Sequence, residues 1–229
     1  NAYTQWLGQK GKTWDDLSGE DLSPFVKGGP PAEYHQTTWC AEKTIEFIRE
    51  NEGKPWFFSF NCFDPHHPFD PPADYLERFP MEDMPLPSVH PNEAHQQTTF
   101  QKLDREWAHN QPGEFETGAM SDDDRRQVYA AYMAMVTLID EQVGRILEAL
   151  DETGQSEDTL VIFMSDHGEM LGDHGIYFKG PHFYDCQMRV PLVIRWPAGG
   201  IQPGRRIGGM IELVDLAPTL LDAAGLEVT

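Results

Sequence analysis

The spacing of apolar residues divides the chain into helical stretches and short apolar runs. Between 121 and 150 apolar side chains recur every three or four positions, which predicts a long helix with Ser121 as its N-cap. Residues 32–51 repeat this period and predict a second helix. Residues 215–225 predict a closing helix that ends at a glycine.

Three apolar runs are too short for helices and predict buried strands at 55–63, 159–165 and 190–196. Helices alternating with continuously apolar strands are typical of parallel sheets that are covered on both faces. We therefore expect an α/β fold with a mainly parallel sheet and helices on both faces. The whole chain, 1–229, is expected to form one domain, with a proline-rich loop excursion at about 64–118.

Polar clusters directly follow two of these runs. "DPHHP" occupies 64–68 and "SDHGE" occupies 165–169. Because ligands of open α/β sheets bind beyond the carboxyl ends of the strands, these positions indicate a site. Asp166 and His167 together could coordinate a divalent cation, with Gly168 allowing a sharp turn. The alternative is that Asp166 caps a turn and His167 lies on the surface.

The remaining polar candidates are ambiguous by themselves. His66 and His67 could contact an anionic oxygen or protonate a leaving group, but either could equally be a structural or exposed histidine. Lys179 and His174 are open to the same two interpretations. Residue spacing alone predicts an α/β hydrolase-like domain, with or without a dependence on metal.

The composition limits the kinds of molecule that the chain is expected to bind. The formal net charge of −21 disfavours nucleic acid and anionic membranes, and it requires that any anion site be positive only locally. The three cysteines, Cys40, Cys62 and Cys186, match neither a disulfide framework nor a CxxC motif, so free buried thiols are expected. The first residues do not form a signal peptide, and the absence of an initiator Met suggests a fragment.

Several motifs in this order resemble the sulfatase family of the alkaline phosphatase-like superfamily. They are "KPWFFSFNCFDPHHPFDPP", "FMSDHGEMLGDHGIYFKG", "MRVPLVIRWP" and "ELVDLAPTLLDAAG", and the similarity runs from about 30 to 225. The resemblance implies that Asp166 and His167 are metal ligands. It implies that His66 contacts the sulfate or its leaving oxygen, and that Lys179 binds sulfate. His174 has a less secure equivalent as a substrate-binding residue.

The resemblance also implies a divalent metal, with Ca²⁺ favoured over Mg²⁺ or Mn²⁺, and a formylglycine nucleophile. None of the three cysteines begins the family's Cys/Ser-x-Pro-x-Arg motif, so the formylglycine is expected upstream of this chain, which would be a partial domain. Asp166 and His167 are too few for tight binding of Ca²⁺, which takes about six to eight oxygen ligands. The expected substrate is a small-molecule or saccharide sulfate ester, and the expected compartment is the periplasm or the exterior of the cell.

Two other functions compete with the sulfatase interpretation. One is a phosphodiester or phosphonate monoester hydrolase of the same superfamily, which the Asp-His pair also suits. The other is a non-catalytic α/β binding module. His90, His95 and His109 lie in the proline-rich segment without a motif, so their substitution should matter little.

The 229-residue chain by itself is expected to lack sulfatase activity, because no residue matches the family's nucleophile motif. The measurement is aryl-sulfate turnover by the purified chain with and without EDTA. Turnover that EDTA abolishes would contradict this expectation.

Overall fold

A long helix, α7 (Asp122–Glu152), is the central element of the computed structural model, which describes residues 1–108 and 115–228. Its start is fixed by a reciprocal cap. The Asp124 N–H donates to Ser121 Oγ at 3.1 Å, and the Ser121 N–H donates to Asp124 Oδ2 at 2.7 Å. The predicted helix and its N-cap are confirmed.

The predicted helices at 32–51 and 215–225 are also confirmed, with small changes at their ends. Residues Ala32–Tyr34 form a 3₁₀ turn before α3 (Gln36–Glu50), and Leu213–Asp215 form another before α9 (Leu216–Ala223). The other α-helices are short: α1 (Ala2–Gln9), α2 (Trp14–Leu17), α4 (Ala73–Leu76), α5 (Glu93–Gln96), α6 (Thr99–Leu103) and α8 (Asp185–Met188).

The sheet differs from the expected one. Among the described residues, strands β1 (Val161–Met164) and β2 (Leu192–Arg195) form a two-stranded sheet. They pair antiparallel, with Val161 opposite Arg195 and Met164 opposite Leu192. A mainly parallel sheet is therefore not confirmed. A parallel pair needs a crossover connection, usually a long helix, whereas the segment between β1 and β2 contains only a 3₁₀ turn and four-residue α8.

The run 55–63 does not form a strand of this sheet. Its side chains alternate between exposed and half-buried, and Phe57 is 73% exposed. Trp56 and Phe58 point inward, and both rings pack against Phe47 of α3. The prediction of a buried strand at 55–63 was therefore wrong, since every second side chain of the run is exposed.

The core lies on the inner face of α7. Val128, Ala131 and Met135 pack there against Phe69 and Phe178, which belong to the two loops that carry the predicted site residues. α3 packs against α7 from another side. The core therefore fixes the positions of both loops relative to one another.

The proline-rich segment contains more regular structure than expected. Its described part holds α4, α5 and α6 and several single turns, although each spans at most five residues. His109 lies outside the described residues. In the part of the chain that the structure describes, no helix has the length and apolar character needed to cross a membrane.

Leu138 provides a test of the α7 core, because its side chain is 0% exposed and packs against Tyr75 and Ala134. Leu138→Ala should lower the free energy of unfolding by about 2–5 kcal/mol. The matched control is Leu22→Ala, where the leucine is 51% exposed and the loss should be small. Urea denaturation of the three proteins measures the difference. Equal losses in the two variants would contradict this packing.

Candidate functional site

The site lies in two loops that the core holds side by side. One loop, 64–70, follows the run 55–63, and the other, 165–180, follows β1. The second loop approaches the backbone of α8 closely at Gly168, whose N–H donates to Gln187 O at 2.8 Å. A Cβ at this position would lie 1.9 Å from Cys186 O. Gly168 is therefore required for close packing, and not for the sharp turn that the sequence suggested.

The structure brings His66 and Lys179 into direct contact. Lys179 Nζ lies 2.6 Å from His66 Nε2, although the two residues are 113 positions apart. Lys179 is exposed and His66 is half-buried, so both can reach a ligand from solvent. The structure therefore brings these two predicted residues together at one surface.

The partners of His66 define its tautomer. His66 Nδ1 lies 2.6 Å from the carbonyl oxygen of His67, which can only accept a hydrogen bond, so Nδ1 carries a proton. The lysine ammonium can only donate, so Nε2 accepts from Lys179. His66 is thus neutral in this arrangement, with its Nε2 lone pair directed to the exposed side.

Asp166 and His167 form a second pair at the end of β1. Asp166 Oδ2 lies 3.6 Å from His167 Nε2, and the Asp166 side chain is 80% exposed. His167 Nδ1 lies 2.9 Å from Gly168 O and therefore donates its proton there. In the neutral ring this leaves Nε2 without a proton, facing a carboxylate oxygen. An unprotonated imidazole nitrogen beside a carboxylate, fixed by a backbone carbonyl behind it, suits a divalent cation.

The two pairs do not touch. Among the described residues, no hydrogen bond or ion pair joins Asp166 or His167 to His66 or Lys179. Glu169 lies between them in sequence and interacts electrostatically with Lys179. Burial raises the pKa of Glu169, while backbone N–H groups and Lys179 oppose the shift. The roles of the four residues remain predictions.

His174 lies elsewhere, against the proline-rich segment. Its Nδ1 contacts Glu93 Oε1, its ring stacks on Tyr184 at 3.8 Å, and its carbonyl accepts from Gln97 Nε2 at 2.8 Å. Partial burial raises the pKa of Glu93, but hydrogen bonds from His174 and from the His90 N–H outweigh this and hold that pKa below its ordinary value. These contacts anchor a loop, and a role for His174 in substrate binding remains a prediction.

The sequence did not single out a third group, formed by His35, Asp64 and Asp70, whose ligand atoms lie within 4.8 Å of one another. His35 falls inside the predicted helix 32–51, Asp64 belongs to the polar cluster 64–68, and Asp70 lies in the proline-rich segment. The available signal was their position on either side of the "PHHPF" run.

Comparison with known proteins decides the family. The Sulfatase family model matches residues 4–226, nearly the whole chain. The chain belongs to the sulfatase family.

Sulfatase relatives match over almost all of this chain. It is 33% identical to the multifunctional alkaline phosphatase superfamily protein PehA of Trinickia caryophylli, covering 99% of this chain and 47% of that protein. It is 32% identical to the arylsulfatase of Clostridium perfringens, again covering 99% of this chain and 47% of that protein. The chain thus spans about half the length of these curated relatives.

Solved structures support the fold. The phosphonate monoester hydrolase of Agrobacterium radiobacter has a TM-score of 0.82 and 31% identity, covering 99% of this chain and 47% of that one. A second phosphonate monoester hydrolase, from Silicibacter pomeroyi, also has a TM-score of 0.82, with 26% identity and the same coverages. This sulfatase-family chain therefore has an alkaline phosphatase-like fold.

Glu93→Gln tests whether the proline-rich segment is anchored through His174. Losing the carboxylate should loosen the neighbouring bonds from the His174 N–H to Ser88 O and from the Ser88 N–H to Asp173 Oδ1. Hydrogen exchange of these two amides should rise about tenfold, which corresponds to roughly 1.4 kcal/mol of local opening free energy. Glu148→Gln, on the exposed side of α7, is the control and should leave both rates unchanged. Unchanged exchange in Glu93→Gln would show that the anchor lies elsewhere.

Proposed function

We propose that this chain carries part of the active site of a metal-dependent sulfuric ester hydrolase. The observation that carries the proposal is the 2.6 Å contact between Lys179 Nζ and His66 Nε2. It places a permanent cation and a titratable imidazole at one exposed point, where a sulfate group could replace their direct contact with one contact to each.

The two side chains suit different parts of a sulfate ester. Lys179 provides a point charge for a non-bridging sulfate oxygen and acts in both the ground state and the transition state. His66 Nε2 is directed to the same point, and once protonated it can give its proton to the leaving oxygen. Its Nδ1–H bond to His67 O fixes the ring orientation for that transfer.

Asp166 and His167 are the proposed metal ligands of this chain. A divalent ion held there, with Ca²⁺ favoured over Mg²⁺ or Mn²⁺, would neutralise sulfate oxygens as a Lewis acid. The proposed nucleophile is a formylglycine, for which this chain offers no matching motif. The residues described here therefore bind the substrate and move a proton.

A phosphonate monoester or phosphodiester is the second candidate substrate class. It is favoured by the two phosphonate monoester hydrolase structures, which have TM-scores of 0.82 over 99% of this chain. The sulfate ester ranks first because the family model and the arylsulfatase relative both carry that name. Both classes present anionic oxygens and a leaving oxygen, so the same residues serve either.

The proposed substrate is a sulfated saccharide or a small sulfate ester. Relatives named iduronate 2-sulfatase, from Mus musculus, and choline-sulfatase, from Rhizobium meliloti, represent these two kinds. The proposed compartment is the periplasm or the cell exterior, because the resemblance to the sulfatase family favours these locations.

The deciding experiment uses the full-length protein that contains this chain. His66→Ala should lower kcat for an aryl sulfate by about 10²–10⁴-fold, the usual contribution of general acid catalysis. Lys179→Ala should raise KM and lower kcat together, because its charge acts in both states. Activity is measured in parallel on a phosphonate monoester, and the larger kcat/KM identifies the substrate class.

His95→Ala is the matched control, since His95 is an exposed histidine of α5 outside the contact between His66 and Lys179. It should retain wild-type kcat and KM. If His66→Ala behaves like His95→Ala on both substrates, the proposed role of His66 is wrong.

A further inference from the structure

A buried group of metal-ligating side chains lies beneath the loop that carries His66. His35 is the N-cap residue of α3 and is 3% exposed, and Asp64 is 8% exposed. Asp70 is half-buried, and one ligand atom from each of the three residues lies within 4.8 Å of the others. The cluster therefore joins the start of α3 to both ends of the loop 64–70.

Two electron-pair donors face each other inside this cluster. His35 Nδ1 accepts a hydrogen bond from the Thr37 N–H at 3.3 Å, so it has no proton to offer Asp64. Asp64 Oδ2 also lies 3.4 Å from this nitrogen. A positive charge between the two atoms, carried by a proton or by a metal ion, would make this approach favourable.

The charges of the cluster also favour a bound cation. Burial and, to a smaller extent, the nearby charge of Asp64 together raise the pKa of Asp70 to about 7. Burial also raises the pKa of Asp64, although His35 and Thr37 oppose that shift. Among the ion pairs of the described residues, neither aspartate is paired with a lysine or arginine. Two buried carboxylates thus share a single imidazole.

We propose that His35, Asp64 and Asp70 bind a divalent transition-metal ion, with Zn²⁺ or Mn²⁺ as the fitting chemistry. One imidazole and two carboxylates form a donor set that these ions accept. For Zn²⁺, bonds of about 2.0–2.2 Å in a tetrahedral site put neighbouring ligand atoms about 3.4 Å apart. The distance from His35 Nδ1 to Asp64 Oδ2 is 3.4 Å.

The Thr37 hydroxyl supports this arrangement from outside. Its Oγ1 donates to Asp64 Oδ2 at 2.5 Å, which fixes the orientation of the carboxylate as outer hydrogen bonds do around metal ligands. The site is separate from the Asp166 and His167 pair, which does not join this cluster of mutually close ligand atoms. The ion would serve to hold the His66 loop to α3, and it would not touch the substrate.

The test measures bound metal on the full-length protein. The protein is stripped with a chelator, dialysed against Zn²⁺ or Mn²⁺ and analysed by mass spectrometry for ions per chain. Asp70→Asn should lower the content by about one ion, since removing a ligand carboxylate removes the site. Asp74→Asn, an exposed aspartate in α4 close along the chain, is the matched control and should keep the wild-type content.

Asp166→Ala separates this site from the one in the proposed function. It should keep the ion bound by His35, Asp64 and Asp70, and that ion should still raise Tm relative to protein in EDTA. His35→Gln should abolish this rise in Tm. Should either substitution at the cluster unfold the protein, the ion retained by Asp166→Ala still decides the question.

Two results would overturn the proposal. One is equal metal content in wild type and Asp70→Asn, together with no ion retained by Asp166→Ala. The other is an Asp70→Asn protein that is more stable than wild type at pH 8 in EDTA, with no metal-dependent rise in Tm in the wild type. That second result would mean that the two carboxylates share a proton instead of a metal.

Discussion

The packing of Phe178 is the contact on which the candidate site depends. Its ring lies 4.0 Å from that of His67 and stacks on Phe69 at 6.4 Å, within the core on α7. Phe178 has a φ of +64°, a conformation that costs a bulky residue of order 1–3 kcal/mol. Because the ring is buried in the core, packing offsets that cost. The backbone then turns so that Lys179 reaches His66 at the surface.

A common device orients the imidazoles of the two candidate pairs. In both His66 and His167, Nδ1 donates to a backbone carbonyl one residue further along the chain. This bond fixes the ring and leaves Nε2 free to accept from Lys179 in one case and to face Asp166 in the other. Local backbone geometry thus selects the tautomer, and the ligand-facing nitrogen follows from it.

The periodicity of apolar residues predicted the helices, which depend on local sequence. It failed for the sheet, because strand pairing depends on contacts between distant parts of the chain. The caps and apolar stripe of α7 are encoded within one segment, and so they were found. The direction of β2 relative to β1 depends on the connection between them, which lacks a crossover helix, so an apolar run alone could not establish it. His66 and Lys179 were found through the family motifs, since no periodic pattern links residues 113 positions apart. His35 was not singled out because it falls inside the predicted helix 32–51, whereas in the structure it is the N-cap residue of α3.

The net charge of −21 does not prevent an anion from binding at His66 and Lys179. At physiological ionic strength, exposed charges more than about 8 Å apart are largely screened, so most acidic side chains contribute little at this point. A unit charge 4 Å away contributes about 4 kcal/mol near a protein surface. One lysine in contact therefore outweighs many distant carboxylates.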